Sequence, residues 1–273
     1  MSSPDKIQLA NECWQVETTP HGGQILRAWH RSSAHPVIFC GRKAEFLPGK
    51  AIRGGIPVCW PWFGASEVAG RPIQGFARTA QWEVAQLEKD FVCFILPENN
   101  VPEDLRDFPF ELYSEIRLSE TLEISLVMKN CGDIPVDISC ALHTYFAVSD
   151  CEKISVNGLK STPFTVKGGV EEVDTESALA ICGEVCRLYC PQSSTLTLCD
   201  PDWQRDIVIE KDNSNSTLVW NPGAERCAQI GDFADDEYHD FLCIEANRAG
   251  SDILTLLPGK AAAVKQRIAV LPR

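Results

Sequence analysis

Two titratable side chains lie in strand-like segments where acid–base chemistry is feasible. In residues 136–147, apolar and polar residues alternate, which puts His143 on the polar face together with Tyr145. Imidazole titrates near neutral pH, so a histidine held in a strand is a candidate acid or base. The structural alternative is a histidine half-exposed on a solvated sheet face, and this segment alone does not decide between the two.

Glu245 is the second such side chain. The run from Phe241 to Ala246 is otherwise apolar, as in strands that are buried on both faces. A carboxylate set into such a run should be partly desolvated, which raises its pKa. It is therefore either a poised acid or base or one half of a structural salt bridge to an arginine, and local sequence leaves both open.

A shaped loop between two arginines is the third candidate feature. It reads Arg53-Gly-Gly-Ile-Pro-Val-Cys-Trp-Pro-Trp-Phe-Gly64, followed by a polar stretch and then Gln74-Gly-Phe-Ala-Arg78. Glycines admit backbone conformations closed to other residues and prolines fix φ, so neither a regular helix nor a regular strand fits. Rigid aromatic residues and arginines on such a loop favour a binding surface. A hydrophobic plug in which Trp60 and Trp62 close the core is the alternative.

The charge balance narrows the class of ligand. Acidic residues number 38 and basic residues 25, which gives a net charge of −13. This balance argues against nucleic acid and anionic membrane surfaces as partners, because both require a basic footprint. Arginines kept around a glycine-rich loop in so acidic a chain indicate a local anion site.

The remaining composition predicts a cytoplasmic protein. The N-terminus has no basic segment followed by an apolar run, and no stretch approaches the length of a membrane span. Thirteen cysteines are scattered singly along strand-like runs, as expected for small buried hydrophobes in a reducing compartment. Cys182, Cys186 and Cys190 are spaced by four, but no second pair or nearby histidine completes a zinc site, and no metal is expected.

The pattern of elements predicts an all-β fold. Strict period-two alternation over residues 112–118 and 122–128 indicates a hairpin that turns at Ser119-Glu120, and residues 82–87 and 91–96 indicate a second hairpin. Further strands are expected at 24–29, 36–40, 196–199, 206–210, 217–220, 253–257 and 262–270, and only residues 234–239 favour a helical turn. Because no linker or repeat divides the chain, residues 1–273 are predicted to form one large β-sandwich with few short helices.

Other catalytic templates are missing from the sequence. It contains no phosphate-binding P-loop, no Gly-x-Gly-x-x-Gly, no Gly-x-Ser-x-Gly and no His-Glu-x-x-His. The sequence thus gives no support to a dinucleotide or metal mechanism, and no cofactor is expected.

Five blocks together resemble the hexose-6-phosphate mutarotases of the aldose 1-epimerase family. They are residues 52–64, Gly75-Phe-Ala-Arg78, Ala141-Leu-His-Thr-Tyr-Phe146, Trp220-Asn-Pro222 and Cys243-Ile-Glu-Ala246. The resemblance implies the galactose mutarotase-like β-supersandwich, with the active site on the concave face of a sheet.

The resemblance also implies roles for individual residues. His143 would be the general acid and Glu245 the general base, while Arg53 and Arg78 would bind the sugar phosphate. Gln74 would hydrogen-bond a sugar hydroxyl, and the side chains of Trp60, Trp62 or Phe63 would offer an apolar wall to the ring.

Two positions depart from the family pattern. Gln74 stands before Gly-Phe-Ala-Arg where many relatives have a histidine, so this side chain can hydrogen-bond but cannot titrate. Glu184-Val-Cys-Arg-Leu-Tyr189 has Cys186 where relatives place an aspartate. Recognition of the sugar hydroxyls is therefore altered, whereas the acid–base pair is retained.

These observations predict an isomerase that interconverts the α and β anomers of hexose 6-phosphates and acts as a monomer on a small-molecule sugar phosphate. The alternatives are a mutarotase of an unphosphorylated aldose and a non-catalytic sugar-phosphate sensor on the same fold. A glycosidase is weaker, because no second carboxylate occupies a comparably buried strand.

Overall fold

The computed structural model describes residues 5–166, 169–193 and 195–273, and strands dominate these residues. The strands are β1 Ile7–Ala10, β2 Trp14–Thr19, β3 Gln24–His30, β4 Pro36–Ile38, β5 Val58–Cys59, β6 Glu83–Leu87, β7 Phe91–Ile95, β8 Phe110–Leu118, β9 Leu122–Asn130, β10 Val136–Ile138, β11 Cys140–Leu142, β12 Tyr145–Ala147, β13 Ser155–Asn157, β14 Pro163–Val166, β15 Glu171–Val173, β16 Ala178–Ala180, β17 Val185–Tyr189, β18 Leu196–Asp200, β19 Arg205–Asp212, β20 Thr217–Asn221, β21 Phe241–Ile244, β22 Ala246–Arg248, β23 Leu254–Leu256 and β24 Ala261–Pro272. One α-helix, α1 (Gly223–Gln229), and 3₁₀ turns at Ala77–Thr79, Glu98–Asn100, Glu103–Leu105 and Glu237–His239 complete the described elements.

Two large antiparallel sheets form the sandwich. The first has ten strands in the order β1-β2-β3-β4-β12-β21-β20-β17-β14-β15, and the second has nine in the order β16-β13-β18-β19-β24-β9-β8-β7-β6. Apolar side chains from both sheets meet in one core cluster, which includes Val16, Ile38, Phe146, Leu112, Ile124 and Ile268. The predicted all-β sandwich is confirmed, because alternating apolar residues on each sheet bury one face against the other.

The first sheet also carries apolar residues on its other face. Tyr145, Phe241 and Cys243 alternate along β12 and β21 with residues of the core, and they pack with Phe39 and Phe233 in a second cluster. This outer face, turned away from the core between the sheets, is the one on which the candidate site lies.

Both predicted hairpins are confirmed. Leu118 pairs with Leu122 across the Ser119-Glu120 turn, and β6 pairs with β7 across residues 88–90. The helical turn expected within 234–239 is the 3₁₀ turn Glu237–His239, whereas α1 was not predicted. Nor were the short strands β13 to β17, since their few residues carry little alternation.

Two strands that were expected to be continuous are interrupted. Residues 136–147 form β10, β11 and β12, and the predicted strand 241–246 is divided at Glu245 between β21 and the first residue of β22. The interruptions arise because pairing partners change along each segment: β11 pairs with β22 and β5, whereas β12 pairs with β21 and β4. The prediction of single strands was wrong here, and the interruptions fall at the catalytic candidates.

Among the described residues, no helix is long and apolar enough to cross a membrane. All thirteen cysteines lie in the described part of the chain, and none is in a disulfide.

Candidate active site

The strand register places His143 directly opposite Glu245. His143 lies between β11 and β12 and Glu245 between β21 and β22, and the flanking pairs are Leu142 with Ala246 and Tyr145 with Cys243. Directly opposed residues of antiparallel strands project from the same face with their Cβ atoms about 5 Å apart. The His143 Nδ1 is accordingly 3.0 Å from the Glu245 Oε1, and both atoms are buried without a hydrogen-bond partner among the described residues.

Burial sets the protonation of this pair. Glu245 is fully buried, and His143 is 7% exposed. Burial lowers the pKa of His143 to about 3, with the charges of Arg78 and Arg53 acting in the same direction. Burial raises the pKa of Glu245 well above its usual value, although a hydrogen bond from Asn247 and the charge of Arg78 oppose this rise. Both shifts favour the uncharged forms of the pair, a protonated carboxyl on Glu245 and a neutral imidazole on His143.

Asn247 fixes the orientation of the carboxylate. Its Nδ2 donates to the second oxygen of Glu245, Oε2, at 3.1 Å. The backbone N–H of Leu218 donates to the Asn247 Oδ1, also at 3.1 Å, so the amide can present only its N–H groups to the glutamate. Oε2 is occupied in this way, and Oε1 is the oxygen that faces the His143 Nδ1.

Aromatic residues hold the imidazole. The ring of His143 stacks on that of Tyr145 with centroids 4.8 Å apart and planes 8° apart. The indole of Trp220 stands perpendicular to the imidazole at 6.1 Å. The stack restricts rotation of the imidazole, and the half-buried Trp220 supplies an apolar surface on the site's face.

Arg53 approaches the pair from the Tyr145 side and is already engaged. Its Nε donates to the Asp232 Oδ1 at 3.1 Å and its Nη1 to the Tyr145 hydroxyl at 3.0 Å, and its guanidinium lies 4.8 Å from the ring of Phe233. Although burial alone would lower the pKa of Arg53, Tyr145 and Asp232 raise it, so the arginine remains charged. Its position is fixed before any ligand binds.

Arg78 is held differently. Its Nη2 donates to the carbonyl of Ile73 at 3.0 Å, but its Nε is buried without a hydrogen-bond partner. Within residues 5–166, 169–193 and 195–273, no carboxylate pairs with it. Its charge nevertheless acts on both His143 and Glu245, so it lies close to the pair with unused donors.

The shaped loop closes on itself through Gln74. The backbone N–H of Gln74 donates to the carbonyl of Gly64 at 2.7 Å, and its Oε1 accepts from the N–H of Gly64 at 2.8 Å. Gly75 follows with φ of +70°, and a Cβ there would meet the carbonyl oxygen of Trp60 at 2.0 Å. Gln74 thus fastens the base of the loop, which leaves only its Nε2 for the sugar contact predicted from the sequence.

Trp60 does not lie where the sequence prediction placed it. It is fully buried, and its indole packs edge-on against Phe76, Phe108 and Phe110. A side chain with no exposed surface cannot form a wall for a sugar, so its assignment as a substrate-binding residue was wrong. For Trp60 the structure supports the alternative of a hydrophobic plug.

Trp62 and Phe63 keep partly exposed surface. Together with Ser139 and Leu188 they line a cavity of about 710 Å³, whose lining includes neither His143 nor Glu245. The Trp62 Nε1 donates to the carbonyl of Pro72, and the guanidinium of Arg71 lies over its ring. Of the three aromatic residues proposed for the sugar wall, these two remain available.

Cys186 lies on the face of the site. It pairs with Trp220, which pairs with Cys243, which in turn pairs with Tyr145. Because residues opposed in successive strands share a face, Cys186 projects on the same side as Tyr145, beyond Trp220. This placement agrees with the role in sugar recognition inferred for its position.

Sequence reasoning missed the functional contributions of Asn247 and Asp232 and named Tyr145 and Trp220 only as parts of motifs. An asparagine inside a buried strand was a usable signal, because buried amides are retained where they are hydrogen-bonded. Asp232 gave no such signal, since acidic residues in loops are common.

Comparison with known proteins identifies the family. The profile of the family described as "Aldose 1-epimerase" matches residues 5–269. A protein of Escherichia coli (strain K12) named "Putative glucose-6-phosphate 1-epimerase" is 31% identical over 92% of this chain and 85% of that protein. A protein of the same name from Cenchrus ciliaris is 32% identical over 95% of this chain and 82% of that protein.

A solved structure supports the same assignment. The crystal structure of a protein from Salmonella typhimurium, described as a "putative mutarotase", superimposes with a TM-score of 0.89 at 25% identity, covering 98% of this chain and 90% of that one. The fold, the opposed His143 and Glu245, and the match over nearly the whole chain agree with one another. This chain belongs to the aldose 1-epimerase family.

Proposed function

We propose that this protein interconverts the α and β anomers of hexose 6-phosphates. The observation that carries the proposal is the arrangement of one buried acid–base pair, His143 and Glu245, beside two arginines, one of which has no acidic partner among the described residues. A pair holding one proton is what ring opening requires, and the arginines suit an anionic substituent on the same sugar. The names of the relatives point to the same substrate.

The reaction follows from the positions of the two groups. The roles assigned to the pair require its proton to lie on His143. Glu245 then takes the proton of the anomeric hydroxyl while His143 gives its proton to the ring oxygen, so the C1–O5 bond breaks and a free aldehyde forms. Rotation about the C1–C2 bond exposes either face of the aldehyde. The 5-hydroxyl then adds back, and both protons return. The reaction is redox-neutral and consumes nothing, so no cofactor is required.

The phosphate is assigned to the arginines by charge and geometry. A guanidinium presents two parallel donors that match two phosphate oxygens. Arg78 offers the buried Nε that lacks a partner, and Arg53 is held ready by Asp232 and Tyr145. In a chain of net charge −13, such a site is needed to offset the repulsion of an anionic substrate.

A second candidate is a mutarotase of unphosphorylated aldoses. The observation that favours it is the ion pair between Arg53 and Asp232, which partly neutralises one of the two proposed phosphate ligands. The two candidates share the acid–base pair and differ only in the group that the arginines bind.

The test is mutarotation by the purified protein, followed by polarimetry or NMR exchange between anomers. Glucose 6-phosphate, glucose and galactose are compared at equal concentration, with Glu245→Gln as the blank. We expect a higher kcat/KM for glucose 6-phosphate than for either free hexose. Equal values would support the second candidate, and rates equal to the blank with all three sugars would leave only a non-catalytic binding role.

A further inference from the structure

Gln266 is a buried polar residue in a row of apolar ones. It lies on β24, in the nine-stranded sheet, and its neighbours on the inward face are Val264 and Ile268. It is fully buried, and burying an amide among aliphatic side chains is unfavourable unless its groups are hydrogen-bonded. The amide therefore needs partners in the opposite sheet.

Those partners are the two residues next to the catalytic pair. The Gln266 Oε1 accepts a hydrogen bond from the hydroxyl of Thr144, which directly follows His143. The Gln266 Nε2 donates to the carbonyl of Ile244 at 3.1 Å, and Ile244 directly precedes Glu245. A single amide thus joins both interrupted strands from the core side.

The location of these contacts matters because the regular ladder stops there. At the interruption, the N–H of Ile244 still donates to the carbonyl of Thr144 at 3.2 Å, while β11 and β12 on one side and β21 and β22 on the other pair with different partners. Side chains alternate in direction along a strand, so Thr144 and Ile244 face the core while their neighbours face the site. Anchoring Thr144 and Ile244 therefore fixes the backbone that carries His143 and Glu245.

We propose that Gln266 is a positioning residue that sets the separation of His143 and Glu245. It touches neither side chain and would touch no substrate, so it acts only through Thr144 and Ile244. The inference rests on the proposed function, because its kinetic test uses mutarotation.

The test compares three single variants. Gln266→Met keeps the length of the side chain and removes both hydrogen bonds, and Thr144→Val removes only the hydroxyl. Asn130→Leu is the matched control, because Asn130 is also a fully buried amide that donates to two backbone carbonyls, those of Ile134 and Leu256, and it has no contact with the catalytic pair.

We expect Gln266→Met to lower kcat by on the order of 100-fold, the effect of moving catalytic groups by about 1 Å, with KM nearly unchanged. Thr144→Val should lower kcat less. In the double variant Thr144→Val/Gln266→Met, the loss in free energy of activation should be smaller than the sum of the two single losses, because both changes remove one shared hydrogen bond. Asn130→Leu should lower the melting temperature but leave kcat at the wild-type value. If Gln266→Met and Asn130→Leu have equal kcat, Gln266 is only structural and the proposal fails.

A second measurement needs no activity and also covers a Gln266→Met protein that folds poorly. NMR titration of the His143 imidazole reports the contact with Glu245, and its signals should shift in Thr144→Val and not in Asn130→Leu. Unchanged His143 signals in both variants would overturn the positioning role even if the wild type is active. A wild type without mutarotase activity but with the expected shifts would instead overturn the proposed function alone.

Discussion

The candidate acid–base pair and the two arginines lie close together but are held by opposite means. His143 and Glu245 are buried, and burial opposes the charged form of each, which favours a protonated Glu245 beside a neutral imidazole. Arg53 and Arg78 are partly exposed and charged, and only Arg53 has an acidic partner among the described residues. A dry pair suits proton transfer, whereas exposed cations suit the capture of an anion. Changes to the pair should therefore act mainly on kcat, whereas changes to the arginines should act mainly on KM.

The largest effect is expected from the pair itself. His143→Ala and Glu245→Gln should each lower kcat by on the order of 10²–10⁴-fold, the usual contribution of a general acid or base. Polarimetry with glucose 6-phosphate measures this loss. Glu172→Gln, on the exposed edge strand β15, is the control and should keep the wild-type rate. A wild-type rate in both pair variants would place the chemistry elsewhere.

Removal of the Asn247 amide should give the next largest effect. Its hydrogen bond favours the ionised carboxylate, so Asn247→Leu should raise the pKa of Glu245 further. A hydrogen bond to a charged group contributes about 1.5–3 kcal/mol, so kcat should fall roughly 10-fold or more.

The pH profile of kcat/KM checks the sign of this effect. Activity is lost at high pH when the pair gives up its one proton, and a raised Glu245 pKa delays that loss. The alkaline limb of Asn247→Leu should therefore move to higher pH. The other titratable and charged groups that face the carboxylate are unchanged in this variant: His143, Arg78, Tyr145, Cys59 and Cys243. A limb that moves to lower pH would show that Asn247 does not stabilise the ionised glutamate.

A smaller effect is expected from the acidic partner of Arg53. Asp232→Asn should lower KM for glucose 6-phosphate a few-fold, because it removes a negative charge that competes with the phosphate, and it should leave KM for glucose unchanged. Asp235→Asn is the control, since this aspartate lies on the same segment but is exposed and 4.0 Å from Lys43. A rise in KM for glucose 6-phosphate would mean that Asp232 mainly orients Arg53.

The smallest effect concerns Cys186. An aspartate introduced there would project on the face of the site beyond Trp220, so Cys186→Asp should change the preference between glucose 6-phosphate and its epimers a few-fold with kcat preserved. Cys182→Asp, at an exposed position outside the strands, serves as the control. Identical preferences in Cys186→Asp and wild type would remove this position from sugar recognition.

Much of the fold follows from local pattern. Period-two alternation predicts β8 and β9 and their turn, because a strand with one buried face must alternate. The interruptions at His143 and Glu245 do not follow, since an apolar run does not reveal where a strand changes its partner. The opposition of the two residues depends on register between segments far apart in the chain, which local pattern does not contain.

The site was predictable only in part. His143, Glu245, Arg53 and Arg78 were all found as chemically unusual residues in their local context, and the structure brings them together. Trp60 was misassigned because composition cannot tell a buried tryptophan from a binding one. Its burial against Phe76, Phe108 and Phe110 depends on tertiary packing.

The separation of chemistry from recognition is tested most directly by one kinetic comparison. kcat and KM are measured with glucose 6-phosphate and with glucose for the wild type, Glu245→Gln and Arg78→Ala. We expect Glu245→Gln to lower kcat equally with both sugars. Arg78→Ala should raise KM for glucose 6-phosphate roughly 10- to 100-fold, because one charge-assisted contact is lost, and should leave KM for glucose unchanged. If Arg78→Ala impairs both sugars equally, or neither, the arginine does not bind phosphate and the account is contradicted.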